Sequence, residues 1–222
     1  MFSSRVDIAE ALVQYVCLLF SLCFHEAAHA AMANRCGDPS ARLLGRMSLN
    51  PLAHIDPIGT VLLPIVMLMS NIGLLFGWAK PVPFNPRNLR NIRRDPALIA
   101  LAGPLSNLLL ALFCAFVLRI IVMAAGISTA HEMLQSPVCQ IALFMIIINL
   151  VLMTFNLIPV PPLDGHHVLY LFLPPSGQRV LEQVGPFGLL IAIFLAGPIL
   201  QHVTPVVMGL VLRIAFLGTD LG

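Results

Sequence analysis

The sequence predicts an all-α polytopic membrane protein, and three observations carry that prediction. Hydrophobic residues make up 59% of the 222-residue chain and charged residues only 10%. Mean hydropathy is +0.93, far above the range of a water-soluble domain. The apolar residues collect in runs long enough to cross a hydrocarbon core of about 30 Å as helices, while lysine and arginine gather in the connections. About five to six transmembrane helices are expected, in one membrane-embedded domain over residues 1–222, with a candidate re-entrant segment at 58–78.

The first span runs from Ile8 to Met32. It is not a cleavable signal peptide, because this apolar run carries the most chemical stretch of the chain, His25-Glu26-Ala27-Ala28-His29. A polar connection with Arg35, Arg42 and Arg46 follows and ends in Asn50-Pro51-Leu52-Ala53-His54-Ile55-Asp56-Pro57. The apolar stretch Ile58 to Trp78 comes next, and after it the most basic segment, with Lys80, Arg87, Arg90, Arg93 and Arg94. If 58–78 crossed the bilayer, one of the two basic clusters would be stranded outside. Its Gly59, Pro64, Gly73 and Gly77 suit a segment that dips in and returns, which is tolerated where protein or water shelters the backbone. The spans Leu98–Ala125 and Val138–Ile158 then leave and re-enter the cytoplasm. Two shorter spans are expected near Pro186–Leu200 and Pro205–Leu217.

Two histidines four residues apart project from one face of a helix, about one turn apart, where both can reach a single ion. Glu26 lies close enough to act on a water held by that ion. Three ionisable groups at membrane depth are costly, so a functional site, here zinc, is the default reading. Catalytic zinc usually takes three protein ligands and keeps a fourth position for water. Candidates for the third ligand are Asp164, His54, Asp56, His131, His166, His167 and His202. Asp164 is the best of them. It follows an apolar helix that Pro159, Pro161 and Pro162 terminate, and Gly165 permits the tight turn needed to present a carboxylate. His54 is an alternative ligand, although a hydrogen-bonding histidine in a turn is the simpler account of it. His166 and His167 are adjacent and point in different directions, so one ion does not easily take both.

These motifs together resemble the site-2 protease family of intramembrane zinc metalloproteases. The resemblance rests on His25-Glu26-x-x-His29, Gly103-Pro104-x-x-Asn107 and Asn156-x-x-Pro159-x-x-Pro162-Leu163-Asp164-Gly165, in that order. Asn50-Pro51-x-x-His54-x-Asp56-Pro57 and Lys80-Pro81-Val82-Pro83-x-Asn85-Pro86 add likeness to the short bacterial members. The resemblance implies one zinc ion per chain held by His25, His29 and Asp164, with Glu26 as general base. It also implies hydrolysis of peptide bonds in or next to transmembrane segments of membrane-protein substrates. No stretch is long enough for the PDZ or CBS domains that many members attach. Asn107 and Asn156 are candidates to position the unwound substrate backbone or to steady the Asp164 loop. The expected setting is a bacterial or archaeal cytoplasmic membrane, with the site nearer the cytoplasm.

Other classes fit the chain less well. The net charge of +2 and the lack of a basic tract with interleaved aromatics exclude nucleic acid as partner. Cys17, Cys23, Cys36, Cys114 and Cys139 form no CxxC pair, and most lie in apolar runs, which speaks against a disulfide scaffold or thiolate-bound zinc. A membrane metalloprotease with glutamate as third ligand would need an E-x-x-x-D helix, which neither Glu132 nor Glu182 supplies. A non-catalytic metal-binding transporter should show repeats and more than one polar span.

Overall fold

The computed structural model describes residues 8–69 and 77–216, and among them every regular element is helical. Helix α1 (Ile8–Arg35) leads into the single turn α2 (Ser40–Leu43). Asp56 caps a short π-helical stretch, Pro57–Leu62, by accepting from the Ile58 and Gly59 N–H groups, and α3 (Leu63–Met69) continues it. Helix α4 (Asp95–Ala125) starts with proline in its first turn and ends at Gly126, whose φ of 65° is the left-handed conformation glycine adopts without strain. The short α5 (Ala130–Gln135) precedes α6 (Pro137–Asn156), and Pro159 lies just beyond the end of α6. Helix α7 (Gly165–Tyr170) follows the proline-rich turn, and α8 (Pro175–Ala215) closes the chain.

Four of these helices are long and apolar enough to cross a membrane: α1, α4, α6 and residues 187–215 of α8. The protein is therefore polytopic, with four candidate spans among the described residues rather than five to six. Part of the difference lies in α8. The two spans expected on either side of residues 200–205 are one continuous helix, which runs on through Pro198 and Pro205. A proline inside a helix costs about 3 kcal/mol or more in water. In a membrane bundle, neighbours and local adjustments re-satisfy the freed backbone, so proline there is a poor stop signal.

The remaining difference is the 58–78 stretch. The helical part, residues 57–69, spans about 20 Å at 1.5 Å per residue, short of the about 30 Å a bilayer requires. Residues 70–76 lie outside the described residues. The two ends of the stretch meet: Trp78 N–H donates to Gly59 O at 3.3 Å, Thr60 Oγ to Trp78 O at 2.9 Å, and Lys80 N–H to His54 O at 2.9 Å. The described ends of the stretch thus lie side by side, the arrangement a re-entrant segment requires. This puts the end of α1, the start of α4 and the end of α6 at the same end of the bundle.

The core sits where α4, α6 and the end of α8 pack. Ala111, Ala115, Leu118 and Val122 of α4 meet Cys139, Ile146 and Leu150 of α6 and Val211 of α8. The alanines let the backbones approach closely, which is how membrane helices gain packing without a hydrophobic driving force. The opposite face of α4 exposes Leu105, Leu109, Phe113, Phe116 and Ile120, a stripe suited to lipid tails.

Candidate metal centre

His25 and His29 lie near the C-terminal end of α1, buried at 4% and 8% exposure, with their Nε2 atoms 3.0 Å apart. Asp164, in the turn before α7, brings Oδ2 to 3.1 Å from His25 Nε2 and 3.4 Å from His29 Nε2. The Glu26 carboxylate also lies within 4.8 Å of ligand atoms of both histidines. Sequence positions 25, 29 and 164 are thus brought to one point, and the geometry can be tested for the ion it suits. Tetrahedral ligands at zinc–nitrogen and zinc–oxygen distances of about 2.0–2.1 Å stand about 3.3 Å apart, close to the observed separations.

The protonation pattern gives a second test. His29 Nδ1 meets the Ile99 carbonyl at 2.7 Å; a carbonyl only accepts, so Nδ1 carries a proton, which in the neutral imidazole leaves Nε2 a lone pair. The tautomer of His25 follows from a longer chain. Asn149 Nδ2 donates to the Met145 carbonyl and to Ser21 Oγ, which leaves Asn149 Oδ1 to accept from Asn107 Nδ2 at 2.8 Å. Asn107 Oδ1 then faces His25 Nδ1 at 2.6 Å and accepts its proton. Both histidines therefore point bare Nε2 lone pairs at each other and at a carboxylate, and Asp164 Oδ2 is buried without a hydrogen-bond donor. With both imidazoles neutral, three acceptors converge here and repel one another unless a cation sits among them. The donor set, two imidazoles and one carboxylate, is one that zinc takes.

Gly103 explains how α4 approaches so closely. A Cβ there would overlap His29 Nε2 and lie 2.6 Å from His25 Cε1. On the other side, Gly165 abuts the Leu157 and Ile158 carbonyls, and Gly188 of α8 abuts the Pro161 carbonyl, so the Asp164 turn is wedged by backbone contacts. A cavity of about 490 Å³ opens beside the cluster. Its wall includes Leu22, Trp78, Val82, Phe155 and Leu189, with Asn156 and His167 adding polar groups. Burial, reinforced by neighbouring His166, pushes the His167 imidazole down to about 4, so it is neutral near pH 7.

The other sequence candidates fall elsewhere. Asn156 lies on the cavity wall and donates to Leu152 O. Asn107 is fully buried, and both ends of its amide are engaged inside the protein, on His25 and Asn149. The structure does not bring His54 to the cluster; its Nε2 faces the Ser48 carbonyl at 2.7 Å. Asp56 is spent on its cap, and His131 and His202 are exposed. Asn149 and Ser21, which complete this buried chain, are not among the residues the sequence motifs single out. A lone asparagine in the 20-residue apolar helix α6 was the available signal, since a buried amide needs partners.

Comparison with known proteins agrees with this geometry. The chain matches Peptidase family M50 over residues 13–191. It is 37% identical over 180 residues to YwhC of Bacillus subtilis, which carries the name of a zinc metalloprotease; the match covers 81% of this chain and 78% of YwhC. It is 32% identical to Rip2 of Mycolicibacterium smegmatis and to Rip2 of Mycobacterium tuberculosis, named in the same way. Those matches cover 80% of this chain and 63% and 64% of the relatives, so the chain spans somewhat under two thirds of their length. No solved structure matches.

Proposed function

We propose, from the premise that this chain belongs to peptidase family M50, that it is an intramembrane zinc endopeptidase cutting membrane proteins in or next to their transmembrane segments. The observation that carries the reading is the convergence of His25 Nε2, His29 Nε2 and Asp164 Oδ2 within 3.4 Å of one another, with both Nδ1 protons directed away from them. These three residues hold one zinc ion, and Glu26 is the general base. Zinc, when bound, supplies Lewis acidity, activating water near neutral pH and polarising the scissile carbonyl.

The chain's own groups do the rest. Glu26 takes a proton from the attacking water and delivers it to the leaving amine. Asn107 holds His25 in the tautomer that leaves Nε2 free, and the Ile99 carbonyl does the same for His29. Asn156, on the cavity wall, positions substrate backbone that has unwound from its helix. Residues 1–222 act as one membrane-embedded catalytic domain. The membrane is the cytoplasmic membrane of a bacterium or archaeon, with the site toward the cytoplasm, because the basic connections Arg35–Arg46 and Lys80–Arg94 adjoin the site's end of the bundle.

The test is zinc content per chain beside cleavage of a transmembrane substrate in purified wild type, Asp164→Ala and Glu26→Gln. The expected result is about one zinc in wild type and little in Asp164→Ala. Glu26→Gln should keep full zinc while cleavage falls by about 10²–10⁴-fold. Full zinc in Asp164→Ala would remove Asp164 from the ligand set.

A further inference from the structure

Between the 58–78 stretch and α4, residues 80–85 form a strap without regular secondary structure, and Pro81, Val82 and Phe84 of it line the cavity beside the site. Pro81, Pro83 and Pro86 have no N–H to give. Of the four backbone donors that remain between Lys80 and Asn85, three are spent at specific points. Lys80 N–H donates to His54 O at 2.9 Å, Val82 N–H to Glu26 Oε2 at 3.0 Å, and Asn85 N–H to Asp38 Oδ2 at 2.6 Å. Val82 is the only residue of the Pro81-Val82-Pro83 triplet with a backbone donor, and that donor goes to Glu26.

Both ends of the strap are anchored in buried groups. Asp38, fully buried, also accepts from Ser40 N–H, Ser40 Oγ and Asn88 Nδ2 at 3.1, 2.6 and 2.8 Å, which ties the strap's far end to the chain just after α1. His54, at 2% exposure, fixes the near end. The proline rings stiffen the span between them. The strap is thus built to present one N–H group at one place, the carboxylate on the residue after His25.

We propose that the Val82 backbone N–H is the positioning donor for Glu26, and that the strap Lys80–Asn85, pinned by His54 and Asp38, exists to hold it there. The proposal rests on Glu26 being the general base. A glutamate side chain has three rotatable bonds, and a general base must stay within hydrogen-bond reach of the proton it takes. Tying Oε2 to the backbone leaves Oε1 as the working oxygen and removes most of that freedom at no cost in side-chain ordering on the donor's side. Val82 also lines the cavity, so its side chain and its N–H can be tested separately.

The experiment separates these two groups. Because Pro81 and Pro83 carry no amide hydrogen, hydrogen exchange across residues 81–83 of the intact protein reads Val82 alone. Exchange is expected to be slow in wild type and in Glu26→Gln, which keeps an acceptor, and faster by about tenfold or more in Glu26→Ala. In cleavage assays, Val82→Pro, which deletes the N–H, should lower kcat by about 10–100-fold with zinc content unchanged. Val82→Ala, which keeps the N–H, should recover most of that kcat and show its effect in KM. Equal Val82 exchange in wild type and Glu26→Ala would overturn the contact, and wild-type kcat in Val82→Pro would overturn its positioning role. Full cleavage by Glu26→Gln would instead remove the catalytic reading of Glu26, whatever the exchange data show.

Discussion

His25, Glu26 and His29 stand on one helix and are braced from inside the bundle, whereas Asp164 arrives on a turn braced by backbone contact. The helix half draws its order from a buried polar chain: Cys17 O accepts from Ser21 Oγ, Ser21 Oγ from Asn149, Asn149 from Asn107, and Asn107 from His25. Ser21, Asn107 and Asn149 are all fully buried. The loop half has no comparable network among the described residues. Its order comes from prolines that limit the backbone and from glycines 165 and 188, which let carbonyls of the Leu157–Pro161 segment pack against other backbone. The difference teaches where each half is vulnerable: the histidines to loss of a polar partner or of space, the aspartate to displacement of its turn.

The largest expected effect comes from filling the space that the helix half requires. In Gly103→Ala the new Cβ overlaps His29 Nε2 and crowds His25, while Asn107 and Ile99 hold both rings in place from behind. The rings cannot retreat without breaking those bonds, so zinc affinity should fall by more than about 100-fold, the upper end of what loss of supporting contacts does at metal sites. Zinc titration of the purified variant measures this. Near-wild-type affinity would mean that the helix half yields easily and that the contrast between the halves is overstated.

A smaller effect is expected further along the polar chain. Asn149 touches none of the three converging side chains; it orients Asn107, which orients His25. Asn149→Ala should weaken zinc binding by about tenfold, and Asn107→Ala by more, toward about 100-fold, with the fold retained in both. A gradient that decays with distance from the metal would show that order passes along the chain. Equal losses would mean that the network acts as one cooperative unit.

What could be read from the sequence follows the same division. His25, Glu26 and His29 were legible because helix periodicity converts a spacing of four into a shared face, and Asp164 because the prolines and Gly165 advertise a presented turn. Local patterns carry that information. The Ser21–Asn149 bond joins residues 128 positions apart, and nothing in either neighbourhood announces the other. Asn107 looked available to substrate because its sequence context shows polarity but not direction, and direction is set by α1 and α6 together. The continuity of α8 is not legible for a different reason: its interior prolines, Pro198 and Pro205, are poor stop signals where membrane neighbours re-satisfy the freed backbone.

The smallest effect should come from the anchor that ties the strap to the chain just after α1, and its pH dependence has a definite sign. Burial opposes ionisation of Asp38, but hydrogen bonds from Asn88, from Ser40 and from the Asn85 N–H outweigh it and hold the carboxyl below the usual carboxylate range. A depressed folded-state value means that the contribution of Asp38 to stability is fully present above the unfolded value of about 3.9 and is lost as pH falls below it. Asp38→Asn replaces one acceptor oxygen with an amide NH2. Whichever way that amide turns, it faces a donor, at Asn85 on one side or at Ser40 and Asn88 on the other. The variant should be less stable at pH 7 by about 1–3 kcal/mol, while its zinc content stays that of wild type. The gap should narrow as pH drops below about 4, where protonation of the unfolded wild type, and at lower pH of the folded carboxyl, removes the advantage of the ionised group. Thermal unfolding in detergent at pH 7 and near pH 3 reads both quantities. A gap that is constant across this range would show that the charge of Asp38 is irrelevant, leaving only the shape of its side chain to hold the strap to the end of α1.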